Sequence, residues 1–446
     1  MRETRIVGVH GRRVWDSRGR PTVEAELHLA GGATGRAIAP AGASTGSGEA
    51  VERRDGGERL GGGDVRGAVA TINGEIADAL KGHDAADQAA IDQMLIALDG
   101  TPDKRRLGGN ALVAVSMAAL HAAAAAAGRP LYAYLLGDAA DAVVPLPEIQ
   151  IFGGGAHAGR QVDIQDFMIV APGASSFDQA LEWTAEVYRA AGALMAEAGR
   201  LHGVADEGGF WPDFDSNEAA LDALMRAIER AGFTAGQDIA LSLDIAASEF
   251  YDHGRYRLAR DGLNLDSDAM AGMMIDWLDR YPILSIEDPL SEDDAAGMRR
   301  FTQAVGKRVQ IVGDDFLVTN ARRVVDAAAA GACNAVLIKP NQAGTITEAL
   351  AALEAARRTG WGAIISARSG ESEDVTIVHL AIGWGVPQLK VGSFARSERM
   401  AKWNEALRIE EALGRRARFA GRTPLQCELR SPTGHEAAGP SRGRLT

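Results

Sequence analysis

The sequence predicts an α/β fold: a parallel strand–helix barrel standing behind a smaller α+β domain. Three observations lead there. The chain has 446 residues, 46% of them apolar, which suits two domains, one of them large. Its first part shows strand-like alternation followed by helical periodicity. Its second part repeats a short apolar run, a polar or charged residue at the end of that run, and then a helical stretch.

In the first part, Val7–Val14 and Thr22–Leu29 alternate, and Ala30-Gly-Gly-Ala33 turns the chain into the segment 35–40. The small residues of Ala41-Gly-Ala-Ser-Thr-Gly-Ser-Gly48 cannot pack a core, so the sequence predicts a mobile loop over 40–48. Helical periodicity then covers about 65–80, 85–98 and 110–127. Residues 1–138 are read as the α+β domain and 139–422 as the barrel. The Pro/Gly/Ser-rich stretch 423–446 is read as a disordered tail. In the barrel region, apolar runs end at or near Asp244, Glu287, Asp314, Lys339, Arg368 and Lys390. The spacings are 43, 27, 25, 29 and 22 residues, against the about 25–30 that one strand, one helix and two loops take.

Composition excludes several classes. A net charge of −13 argues against nucleic-acid partners, which require a basic face. The longest apolar stretch, 111–127, is mostly Ala and is interrupted by Ser116 and His121, so it reads as a buried helix and no membrane partner is expected. The N-terminus shows no apolar leader, and two cysteines, Cys333 and Cys427, give neither a disulfide framework nor a zinc site. A cytoplasmic location is the expectation. Lysine occurs only at 81, 104, 307, 339, 390 and 402, which draws attention to the two that end apolar strands.

In a parallel barrel, catalytic groups stand at the C-terminal ends of strands. One charged strand end usually caps a helix, but here six follow in series and mix carboxylates with cations. Three carboxylates meeting at one mouth repel unless a cation lies among them. An oxygen-only set without Cys or His favours Mg²⁺, with Asp244, Glu287 and Asp314 as ligands. Such an ion polarises a substrate carboxylate and so eases loss of the adjacent proton. Lys339 is the base expected to take that proton, with a pKa lowered by cationic neighbours.

These residues fall within blocks that resemble the enolase family over about 5–420. The blocks are Val14-Trp-Asp-Ser-Arg-Gly-Arg-Pro-Thr-Val-Glu24, Ala41-Gly-Ala-Ser-Thr-Gly46 and Asp206-Glu-Gly-Gly-Phe210. Further along come Ser285-Ile-Glu-Asp-Pro289, Gly313-Asp-Asp315, Lys339-Pro-Asn-Gln342, Arg368-Ser-Gly-Glu371 and Arg408-Ile-Glu-Glu-Ala-Leu-Gly414. The resemblance implies an enolase-type (β/α)8 barrel with an N-terminal α+β capping domain, and a homodimer or higher homo-oligomer. It implies a lyase-type enzyme acting on a small anionic phosphorylated carboxylic acid. A lysine base working beside Mg²⁺ is a known pattern of that superfamily.

By the same resemblance, Asp244, Glu287 and Asp314 hold one tight Mg²⁺, and Ser44 reaches a second that arrives with substrate. Lys339 removes the C2 proton, and Glu207 helps the C3 hydroxyl leave, with Asp166 beside it. Lys390 holds the substrate carboxylate, Arg368 and Ser369 the phosphate, and His157 belongs to a second mobile loop.

Three positions depart from the family pattern. Ala367 stands where the block Ser-His-Arg-Ser-Gly-Glu has its histidine, Asp166 replaces a glutamate, and Gly153 replaces the asparagine of Asn-Gly-Gly. Loss of an imidazole beside the phosphoryl position leaves room for an extra group on phosphorus. In this the sequence resembles the carboxyphosphonoenolpyruvate synthases, a branch serving phosphonate antibiotic biosynthesis. The alternative is ordinary phosphopyruvate hydratase, which converts 2-phosphoglycerate to phosphoenolpyruvate and water. A non-catalytic enolase is disfavoured, because Lys339, Glu207 and all three expected ligands are present.

Overall fold

The computed structural model describes residues 3–425. The expected disordered tail therefore falls almost wholly outside the described residues, although Leu425, just before their end, is buried against Leu146 and Val170.

Strands β1 (Ile6–Trp15), β2 (Pro21–Leu29) and β3 (Thr34–Ile38) form an antiparallel sheet. The helical segment expected over 65–80 runs from Arg66 to Leu80, with a π-helical turn at Ile72–Ile76. The next helix, Gln88–Asp99, starts three residues later than the periodicity alone suggests. Asp87 caps it by accepting from the Ala90 N–H, and Gly100 ends it in the left-handed conformation.

Helix Gly109–Ala126 lies across the sheet. It is apolar on every side, as a helix enclosed by protein must be. It is also long and apolar enough to cross a membrane, but 89% of that window is buried inside the protein. Its contact with β3 leaves no room for a side chain: a Cβ on Gly35 would lie 2.1 Å from the Ala122 nitrogen.

The second core surrounds a closed barrel. In chain order its strands are β4 (Leu146–Gly153), β5 (Asp166–Val170), β6 (Ala240–Asp244), β7 (Ile283–Glu287), β8 (Gln310–Gly313), β9 (Ala335–Ile338), β10 (Gly362–Ser366) and β11 (Gln388–Ser393). Around the barrel the order is β7-β8-β9-β10-β11-β4-β5-β6.

One feature differs from a barrel of uniform strand–helix units. β5 runs antiparallel to both β4 and β6. Residues 154–165 join β4 to β5 without a crossover helix, and a parallel return would need one. Two helices, Phe177–Glu197 and Asn217–Arg230, then follow β5 in succession before β6. The reversal brings Asp166, the first residue of its strand, to the mouth of the barrel, opposite Gly153 on one side and Asp244 on the other.

Candidate active site

The strand ends converge as the spacing requires. Asp244 and Glu287 close β6 and β7, Asp314 follows β8, Lys339 follows β9, Ala367 and Arg368 follow β10, and Lys390 stands within β11. All of these residues are buried. A cleft of about 330 Å³, counting space open to solvent, is lined by Ser44, His157, Asp166, Glu207, Asp244, Lys339, Ala367, Arg368, Ser369 and Lys390 among others. Glu287 and Asp314 touch that lining through the two lysines. Lys390 Nζ lies 2.7 Å from Glu287, 2.8 Å from Asp244 and 3.6 Å from Asp166. Lys339 Nζ donates to Asp314.

These contacts set the charges. Burial acts against the charge on Lys390, but Asp244, Glu287 and Asp166 outweigh it and hold the ammonium well above its usual range. Burial, reinforced by Asp244, pushes Glu287 well above the usual carboxylate range despite Lys390. Burial would raise Asp314 as well, yet Lys339 holds it low.

The expectation that cationic neighbours lower Lys339 is corrected. Burial, Arg368 and Lys390 do act downward, but Asp314 and Glu287 act upward and prevail, so Lys339 sits above its ordinary value. Asp314, in direct contact with Nζ, is the larger of the two raising charges.

On the opposite side of the mouth, His157 Nδ1 lies 3.0 Å from Asp166 Oδ1 and its Nε2 lies 3.8 Å from Glu207. Burial disfavours a charged ring, but Asp166 and Glu207 overcome it, and His157 is pushed up to about 9. Asp166 is held below the usual carboxylate range against the effect of its burial, chiefly by His157.

The residues fit a hard divalent cation in kind. Asp244, Glu287 and Asp314 offer only oxygen, and Glu287 Oε1 is buried without a hydrogen-bond partner among the described residues. Their oxygens are arranged around the two ammonium groups. The sets whose ligand atoms lie within 4.8 Å of one another are different: Asp288, Asp314 and Asp315, and His157, Asp166 and Glu207. Asp288 accepts from the backbone N–H groups of Asp314 (3.0 Å) and Asp315 (2.7 Å), so its carboxylate shapes the turn that presents Asp314. Ser44 reaches the cleft from the small-residue loop, but it is its carbonyl that accepts from Arg368 Nη2, at 2.9 Å, and among the described residues it makes no bond to the three acids.

Several contributors were not singled out from sequence. Glu49 pairs with Arg368 at 2.8 Å. Gln342 donates to Asp314 at 2.9 Å and Gln165 to Asp244 at 3.1 Å. Arg399 and Lys402, both fully buried, support the loop that carries Arg368 and Ser369. Arg399 donates to the Arg368 and Ser369 carbonyls, while Lys402 pairs with Glu371 at 3.0 Å. The rarity of lysine was a usable signal for Lys402. Nothing comparable marked Arg399 among the abundant arginines.

The fold and the site together define a capped barrel whose mouth sets buried lysines against a ring of carboxylates. The family model described as Enolase, N-terminal domain matches residues 6–135, and that for Enolase, C-terminal TIM barrel domain matches residues 141–427. The chain belongs to the enolase family.

Proposed function

We propose that this protein is a Mg²⁺-dependent enzyme acting on a substrate of the 2-phosphoglycerate/phosphoenolpyruvate type, with a phosphoryl pocket altered to accept carboxyphosphonoenolpyruvate-like chemistry. The observation that carries the altered specificity is Ala367. Its methyl lines the cleft directly beside Arg368 and Ser369, where an imidazole would narrow it. The ordinary hydratase activity is the second reading, favoured by the presence of both lysines, Glu207 and the three acids in one cleft or touching it.

In this reading Asp244, Glu287 and Asp314 would hold the ion, which when bound would supply stabilisation of the charge on the substrate carboxylate. Lys390 binds that carboxylate from below. Lys339 takes the C2 proton on Nζ as the free amine, after its contact with Asp314 is relieved and the ammonium has released a proton to solvent. Glu207, with His157 against it, supplies a proton at the C3 oxygen. Arg368 and Ser369 fix the phosphorus end, and Ser44 covers it from the loop.

The test offers 2-phosphoglycerate, and its analogue in which the phosphorus carries a carboxyl group in place of one oxygen, in turn, with Mg²⁺, and follows phosphorus by NMR. Turnover is expected only where the phosphorus carries the extra group. Fast formation of phosphoenolpyruvate from 2-phosphoglycerate would instead establish the hydratase. Under either outcome, Lys339→Ala should abolish exchange of the C2 proton with solvent.

A further inference from the structure

Two of the three departures from the family pattern face each other. Gly153 ends β4, Asp166 begins β5, and the two are cross-strand partners. Gln150 lies on the same strand as Gly153, with an irregularity in the ladder between them. Gln150 is fully buried and does not line the cleft, whereas Asp166 does.

The Gln150 carboxamide is fixed at one end and directed at the other. Its Oε1 accepts from the Gly209 N–H at 2.9 Å, which leaves Nε2 to donate to Asp166 Oδ1. The amide cannot reverse without presenting its oxygen to the Asp166 carboxylate and its NH2 to the Gly209 N–H. A Cβ at Gly153 would lie 3.2 and 3.3 Å from the two polar atoms of that carboxamide and 2.7 Å from the Ala205 methyl. A side chain at 153 and the present course of Gln150 therefore compete for one space.

We infer that Gln150 is a positioning residue for Asp166, reaching it through the space that Gly153 leaves open, so that the changes at 153 and 166 are one coupled change. Aspartate is one methylene shorter than glutamate, and Gln150 extends to meet it. The carboxylate so held stays 3.0 Å from His157 and 3.6 Å from Lys390. A merely space-filling Gln150 would contribute to stability alone.

The test is a double-mutant cycle of Gln150→Asn and Asp166→Glu, which trades one methylene between the two side chains. Three readouts are taken: kcat and KM on the substrate that the wild type turns over, the NMR titration of the His157 ring (assigned with His157→Gln), and the unfolding temperature. Each single variant should lower kcat by roughly ten- to a hundredfold, as expected of a group displaced by about 1 Å. KM should change by less, since Gln150 does not meet substrate. Each should also shift the His157 titration.

The double variant should recover kcat to within about threefold and return the titration toward wild type, the signature of contacting residues. Gly153→Ala, which crowds the carboxamide, should behave like Gln150→Asn and replaces it in the cycle if that variant does not fold. Losses that simply multiply in the double variant, with independent His157 shifts, would overturn the assignment. The kinetic half rests on the proposed function. If wild type turns over none of the substrates offered, that reading fails, and the His157 titration still decides the role of Gln150.

Discussion

At the level of single residues, the site is a balance of buried charges. Lys339 and Lys390 are stabilised by the same carboxylates that are suited to hold a divalent ion. Ala367 is the residue that alters the shape of this set, and its consequence is measurable. Ala367→His should refill the space beside Arg368 and clash with any larger group on phosphorus. Such overpacking costs about 1–3 kcal/mol, equivalent to roughly a five- to hundredfold loss of affinity. Binding of 2-phosphoglycerate, followed by calorimetry, should hold or improve. An unchanged preference between the two substrates would make Ala367 a neutral replacement.

The strand-end residues were legible because they recur at strand–helix spacing and because charge at the end of an apolar run is conspicuous. Gln150 was not legible that way. It sits inside the run Leu146-Pro-Glu-Ile-Gln-Ile-Phe152, where two polar residues in a fully buried strand were the overlooked signal. The direction of the Lys339 shift was also beyond the sequence, since it depends on which neighbour Nζ touches.

At the level of elements, the N-terminal sheet and its covering helix are joined by a contact with no slack. Gly35→Ala would place a methyl against the backbone of helix Gly109–Ala126 at Ala122, where no flexible side chain can yield. A loss of about 1–3 kcal/mol in unfolding free energy is expected by denaturant titration. No loss would mean that the helix can slide on the sheet. The strands and helices here begin and end within a few residues of the expected positions, and the exceptions have local causes. Asp87 sets the start of helix Gln88–Asp99 by capping it, which overrides the apolar periodicity that extends further back. The reversed strand β5 was hidden for a different reason. Alternation in a short buried strand carries no sign of direction, and only the missing crossover helix between β4 and β5 betrays it.

For the molecule as a whole, the two halves meet at the cleft. Arg18, from the N-terminal part, donates to the Ala41 carbonyl and to Ser369, and the backbones of Ala41 and Gly370 bond in both directions. Cation binding should therefore stabilise the entire chain. Mg²⁺ at a hundredfold excess over its Kd should add about 2.7 kcal/mol, seen as a rise in melting temperature that EDTA reverses and Asp314→Asn abolishes. A melting temperature indifferent to Mg²⁺ would place the ion elsewhere or nowhere.

The reversed strand also gives the mouth two poles. Around the barrel, β5 stands directly across from β9, so Asp166 with its partner His157 opposes Lys339. A carbon skeleton held between them is addressed from both faces at once. In the proposed reaction the proton departs toward one pole and the hydroxyl toward the other, which makes the elimination anti. The stereochemical course of that elimination, legible in a substrate labelled at one C3 hydrogen, thus follows from the direction of a single strand.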